Sequence, residues 1–219
     1  MIVYRILDYK GWNRYYYITS VSNPKAFPIN IQGIWFNLPN GELASACFHK
    51  SEEMVNGFYS DWGRGAYDNA YSPEFLPQSL FVEYIDFRTK QYYADTIALP
   101  QENMLEIFKR AEKDNDLKNL SAWNPKMGLE FQVGIANGGN IVFWLMNDHW
   151  EKEFYRTQLQ PKPFPTKMQS NQKPINSKEE FLSDIFAEIP DSVKTDVLKT
   201  SGVAQFKDSI PIYFNDLRK

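Results

Sequence analysis

The chain has 219 residues, with 24 Lys and Arg against 27 Asp and Glu, a net charge of −3 and 16% aromatic residues. That length can bury a real core, and a mildly acidic chain without a basic run is a poor fit to nucleic acid, because neutralising phosphates takes clustered Lys and Arg. The single cysteine, Cys47, excludes an internal disulfide framework and a zinc-thiolate cluster, and is read as a half-buried thiol.

The opening MIVYRILDYKGWNRYYY lacks the charged n-region, long apolar h-region and small-residue cleavage site of a secretory signal. No window approaches the ~18 consecutive apolar residues of a spanning helix. A soluble, cytoplasmic chain is therefore expected; a periplasmic or membrane-anchored location would require that a native signal had been removed.

Residues 12–21 are aromatic and β-branched and end at Ser22-Asn23-Pro24, a strand closed by a turn. Residues 29–38 alternate Ile29, Ile31, Gly33 and Trp35 against Asn30, Gln32, Ile34 and Phe36. They end at Pro39-Asn40-Gly41, whose Asn-Gly pair predicts a hairpin with the run 42–49. From Lys50 to Pro77 periodicity fades, and glycines and aromatics replace it. A stretch that long is often functional in a compact domain.

Two strands follow around the polar reversal Arg88-Thr89-Lys90. In the first, Phe81, Ile85 and Phe87 oppose Leu80, Val82 and Tyr84, so cover on both faces is expected. Pro100 opens a helix whose stripe is Met104, Leu105, Ile107, Phe108 and Ala111, with Glu102 early and Lys109, Arg110 and Lys113 late, as the helix dipole prefers. That helix should lie across the sheet. After a polar connection, the runs 129–136 and 140–147 flank Asn137-Gly138-Gly139, the strongest hairpin signal in the chain. Val142, Trp144 and Met146 make the second of these strands apolar on its reverse face as well, so it is placed centrally. Residues 151–159 complete the sheet.

Residues 160–176 carry four prolines and no periodicity, and read as a linker or surface strap. Ser177 to Glu180 fits a capping box, followed by the stripe Phe181, Leu182, Ile185, Phe186 and Ile189. A shorter helix over 192–200 and an apolar run over 210–214 are expected beyond it. Each buried side chain of that stripe is worth roughly 1.5–3 kcal/mol, so the extension must dock, on its own sheet or on a partner. The organisation expected is a mainly-β domain over 1–159, the strap over 160–176 and a helical extension over 177–219.

Catalytic chemistry finds little support. His49 and His149 have no serine or cysteine motif beside them and read as strand-end surface histidines. The acidic and histidine residues at 148–153 match no metal-ligand spacing, so no metal and no cofactor is expected. Gly63-Arg64-Gly65 sits in irregular chain and Gly138-Gly139 closes a hairpin, so neither is a phosphate loop. The stretch 58–71, FYSDWGRGAYDNAY, holds the residue types that dominate protein interfaces, and Asp61, Trp62, Arg64, Tyr67 and Asp68 are the binding candidates. The competing assignment, that Trp62 and Tyr67 plug an end of the core, carries more weight, because buried aromatics mostly serve packing.

The order of Trp62-Gly63, Leu76-Pro77, a hairpin ending in Tyr92-Tyr93, and Leu99-Pro100 with its helix begins a recognisable series. It continues through Val133-Gly134-Ile135-Ala136, Gly138-Gly139 and Val142-Phe143-Trp144-Leu145 to Tyr155-Arg156-Thr157-Gln158. Over about residues 29–159 this resembles the bacterial family of unknown function catalogued as 2931; order and spacing carry the resemblance, not a single motif. It implies proteins that are often lipoprotein-like, some encoded near type VI secretion effectors. It thereby implies an immunity protein that binds and silences a toxin, and it supplies no catalytic residues. The resemblance does not reach residues 160–219.

The fold expected is α+β, a mainly antiparallel sheet or sandwich with one helix across it and a helical C-terminal extension. The function expected is a non-enzymatic protein-binding module, with a cognate toxin or effector as partner. The alternatives are a hydrolase assembled from His149, Glu151 and Asp61, and a structural or envelope-associated subunit that dimerises through the extension.

Overall fold

A computed structural model describes residues 14–23, 27–46, 66–67, 72–122, 124–165, 168–170, 173–175, 177–187 and 189–199. In chain order the elements are β1 (Arg14–Ser22), β2 (Ile29–Asn37), β3 (Leu43–Ser45), β4 (Ala66–Tyr67), β5 (Glu74–Phe75), β6 (Ser79–Asp86) and β7 (Tyr92–Ala98). Then come α1 (Gln101–Lys113), β8 (Lys118–Asn119), β9 (Met127–Ile135), β10 (Asn140–Met146) and β11 (Glu151–Gln158). The last are β12 (Met168–Ser170), β13 (Lys173–Ile175), α2 (Lys178–Ile185) and α3 (Asp191–Lys199). Cys47, His49, Asp61, Trp62, Arg64, Asp68 and the run 210–214 lie outside the described residues.

Among the described residues two sheets face each other. One is seven-stranded, ordered β11-β10-β9-β1-β4, with β5 on β1 and β8 on β9; the other is four-stranded, ordered β3-β2-β6-β7. Their inward faces form one core. Phe36 and Leu80 of the smaller sheet meet Phe131, Val133 and Phe143 of the larger, and the Phe36 and Phe131 rings stand edge to face at 4.9 Å. The architecture is the α+β, sheet-dominated one expected from the alternating runs. β10 is central, with neighbours on both sides, and Val142 and Trp144 on its reverse face are buried too.

Three details depart from the sequence pattern. The first strand pairs parallel, not antiparallel, with β9, Tyr16 opposite Gly128 through Ser22 opposite Gly134. Alternation cannot reveal this, because it fixes which face a residue occupies and not the direction of its neighbour. Second, the alternation of β2 breaks at a bulge between Ile31 and Gly33. Ile29 and Ile31 face the core, but beyond the extra residue Gln32 it is Ile34 and Phe36 that do so, and Gly33 and Trp35 turn outward. One inserted residue reverses every side chain after it. Third, the strap contains the small hairpin β12–β13, and its Lys162 N–H donates to the Tyr92 carbonyl at 2.8 Å.

The turns follow their chemistry. Gly41 has φ 83°, and the N–H of Gly41 donates to the Leu38 carbonyl at 3.0 Å. At the β9–β10 turn a Cβ on Gly139 would stand 2.2 Å from the Leu159 carbonyl, so only glycine lets the end of β11 close over it. Between β6 and β7 the Asp86 carboxylate accepts the N–H groups of Arg88 and Thr89 at 2.6 and 3.1 Å.

Helix α1 buries Met104, Ile107, Phe108 and Ala111, and Phe108 rests on Tyr15 and Tyr17 of β1 at 4.8 and 6.5 Å. The C-terminal extension docks on the chain's own smaller sheet. Phe181, Ile185, Phe186, Ile189 and Val197 pack with Ile85 and Phe87, the outward-facing end of β6. The Ser177 side chain caps α2 by accepting the Glu180 N–H at 3.1 Å. The Ile85 end of β6 is thus covered on both sides, by the other sheet and by the extension.

Candidate functional site

The outer face of the four-stranded sheet divides in two. At one end Ile85, Phe87, Tyr92 and Phe164 lie with the extension. Toward the other end Trp35 and Phe81, paired across β2 and β6, stack at 4.0 Å and 21° and are only half-buried. Leu43 on the neighbouring strand is 65% exposed, and Thr96 and Ala98 on β7 add small exposed side chains.

Gly33 forms the floor of this half. A Cβ there would lie 3.0 Å from Trp35, 3.3 Å from Phe81 and 3.7 Å from Glu83 Oε2. Two aromatic rings and a carboxylate therefore converge on one bare Cα. The other oxygen of Glu83 accepts the Tyr92 hydroxyl at 2.6 Å. Burial, with the hydrogen bond and charge of Glu83, holds the Tyr92 hydroxyl well above the ordinary tyrosine range. Among the described residues no cation sits on either ring.

The opposite outer face, on the seven-stranded sheet, carries a buried polar row. Glu130 is 5% exposed and pairs with Lys118 at 3.3 Å; Lys118 reaches Asp148 at 3.1 Å. Ser20 donates to Glu130 at 3.5 Å, and Gln132 Nε2 donates to Ser22 Oγ at 3.5 Å. Burial alone would lower the Lys118 pKa, but the hydrogen bond to Asp148 and the charges of Glu130 and Asp148 outweigh it and hold it above the ordinary value. A lysine kept charged is no general base, and a hydroxyl 3.5 Å from its acceptor is not activated. The row pins β8 and the β10–β11 turn to β9.

A cavity of about 190 Å³ lies where β1, α1 and β9 meet, lined by Arg14, Tyr15, Tyr16, Phe108, Glu112 and Met127 among others. It is smaller than the roughly 300–1,000 Å³ of ligand sites. Burial and the charge of Glu112 push the Tyr15 hydroxyl up, away from use as a base at neutral pH.

Of the sequence candidates, Tyr67 lies in β4, with its backbone opposite Ser20 at the edge of the larger sheet; Asp61, Trp62, Arg64 and Asp68 lie outside the described residues. His149 is exposed on the turn after β10, where its N–H donates to Asn147 at 2.7 Å, and Glu151 is buried at the start of β11. Among the described residues no group of three or more His, Cys, Asp or Glu side chains is arranged to hold a metal ion, and no helix is long and apolar enough to cross a membrane. The convergence at Gly33 escaped sequence reasoning because unbroken alternation put Trp35 on the face of Ile31. The available signal was the glycine itself, since glycine inside a strand marks a bulge or a close approach.

Comparison with protein families matches residues 10–203 to the one described as "Protein of unknown function (DUF2931)". The match reaches well past residue 159 and takes in the strap and both C-terminal helices, which the resemblance over 29–159 had left out; order and spacing are hard to follow where prolines interrupt the pattern. No curated protein and no solved structure matches the chain.

Proposed function

The chain belongs to the DUF2931 family, and from that premise we propose that it is a non-enzymatic protein-binding module whose partner is a secreted bacterial toxin or effector, which it silences as an immunity protein. The observation that carries the reading is the divided outer face of the smaller sheet. The extension covers one half in cis, while stacked Trp35 and Phe81 beside exposed Leu43 are left accessible on the other. Aromatic side chains on a rigid sheet are what interface centres are made of, because they bury much area for little lost freedom. The polar row and the cavity offer no nucleophile with its base, which favours binding over chemistry.

The test is direct. The full chain is mixed with the product of the effector gene adjacent to its own, and association is followed by calorimetry. A complex at submicromolar Kd is expected, weakened by Trp35→Ala. No complex at micromolar concentration would overturn the reading.

A further inference from the structure

Resting on that reading, we infer that the Trp35–Phe81–Glu83 convergence over Gly33 is a receptor for an arginine side chain of the partner protein. A guanidinium is flat, is held by aromatic faces and forms paired hydrogen bonds with a carboxylate. Each requirement has a counterpart here. Trp35 and Phe81 supply aromatic surface, stacked at 4.0 Å on a half-exposed face. Gly33 lets both rings lie down against the sheet beside the carboxylate, since a Cβ there would stand 3.0 Å from Trp35, 3.3 Å from Phe81 and 3.7 Å from Glu83 Oε2. Glu83 points Oε2 over Gly33, while Oε1 is fixed by the Tyr92 hydroxyl at 2.6 Å.

The Tyr92 bond matters because it orients the carboxylate before any ligand arrives. That lowers the conformational cost of binding. Charge favours the same occupant. The chain carries −3 overall, and Asp95 of β7 is already matched by Lys162 at 3.7 Å. Glu83 is the carboxylate at the boundary of the open half, between Phe81 and Ile85 on β6. An acidic or purely apolar partner side chain would leave it facing no counter-charge. A lysine would fit less well, because its ammonium offers no flat face to the rings.

The test uses the full chain and a defined probe, Nα-acetyl-L-arginine methylamide, titrated while the tryptophan indole N–H signals are followed by NMR. A saturable shift of the Trp35 signal at millimolar probe is expected, with the matching citrulline amide giving none. Glu83→Gln keeps an acceptor for Tyr92 and should weaken arginine binding by about fivefold or more. Gly33→Ala, whose Cβ would crowd the Trp35 and Phe81 rings off the sheet, should do the same by a separate route. An equal response to citrulline, or no saturable shift with the wild-type chain, overturns the arginine site without recourse to any variant. The two readings separate cleanly. If the effector binds with unchanged affinity when Glu83 is Gln, the arginine receptor fails and the binding module stands. If arginine binds and no effector does, the immunity reading fails and the receptor stands.

Discussion

Replacing Phe186 by alanine should release the C-terminal extension and leave the sandwich folded. Phe186 is 4% exposed and meets the Phe87 ring edge to face at 5.1 Å. The Lys90 ammonium lies 3.7 Å from the Phe87 ring and 4.5 Å from that of Phe186, so one cation bridges both. Truncating a buried phenylalanine costs about 3–5 kcal/mol, and a peripheral cluster that can relax belongs at the lower end, about 3 kcal/mol. At about 1.4 kcal/mol per tenfold, that loss raises the open population of the extension by roughly a hundredfold. Native-state hydrogen exchange reads this directly, because it resolves local from global opening. Amides of α2 should exchange about a hundredfold faster, while those of Phe131, Val133 and Phe143, in the shared core, keep their protection. An equal loss of protection in β9 and β10 would show that the extension is no separable unit. Unchanged exchange in α2 would remove the docking argument altogether.

Three further outcomes follow from particular contacts. A Cβ on Gly128 would fall 2.0 Å from the Tyr16 carbonyl oxygen and 2.6 Å from Leu120, so Gly128→Ala must part β1 from β9; a loss of about 2–3 kcal/mol in urea unfolding is expected. Tyr84 stacks on Tyr93 at 4.9 Å, and its buried hydroxyl has no hydrogen-bond partner among the described residues, so Tyr84→Phe should raise stability by about 1 kcal/mol at neutral pH. Burial first, then the charges of Tyr93 and Asp86, hold the Tyr84 pKa well above the ordinary 10.0. A raised folded pKa gives stability that is complete below the unfolded value and lost above it, so the gain from Tyr84→Phe should widen as unfolding is repeated above pH 10. Lys118 has its pKa raised above 10.5. Lys118→Met, which strands Glu130, should therefore destabilise most below that pH, with the gap to wild type closing as pH rises through the folded value. A gap that stays constant from neutral to alkaline pH would remove the ion pair as its cause.

Local chemistry made much of this fold readable. Asn40-Gly41 and Asn137-Gly138-Gly139 placed two hairpins because positive φ is cheap for glycine, and Gly41, Gly138 and Gly139 all adopt it. Pro100 and the stripe of Met104, Ile107 and Phe108 placed α1. What escaped was non-local or depended on one residue. Gln32 at the bulge looks like any polar strand residue, yet it turns Trp35 from the core to the open face. The parallel partner of β1 lies far away in the chain, and no short pattern encodes it. The candidate surface was hidden for the first of these reasons. Of the interface residues expected in 58–71, only the backbone of Tyr67, beside Ser20, is described.

The pairing of β1 with β9 also has a consequence in time. Ser20 and Glu130, bonded across it, are 110 positions apart in the chain. During synthesis β1 emerges first and must wait for β9 before its place in the larger sheet exists, while β2, β3, β6 and β7 can pair among themselves. The smaller sheet is thus expected to form early and the larger one late. Contacts this distant in sequence slow folding and leave an aromatic strand exposed meanwhile. A ribosome-bound chain stopped before Met127 would present Tyr15 and Tyr17 unburied by the larger sheet.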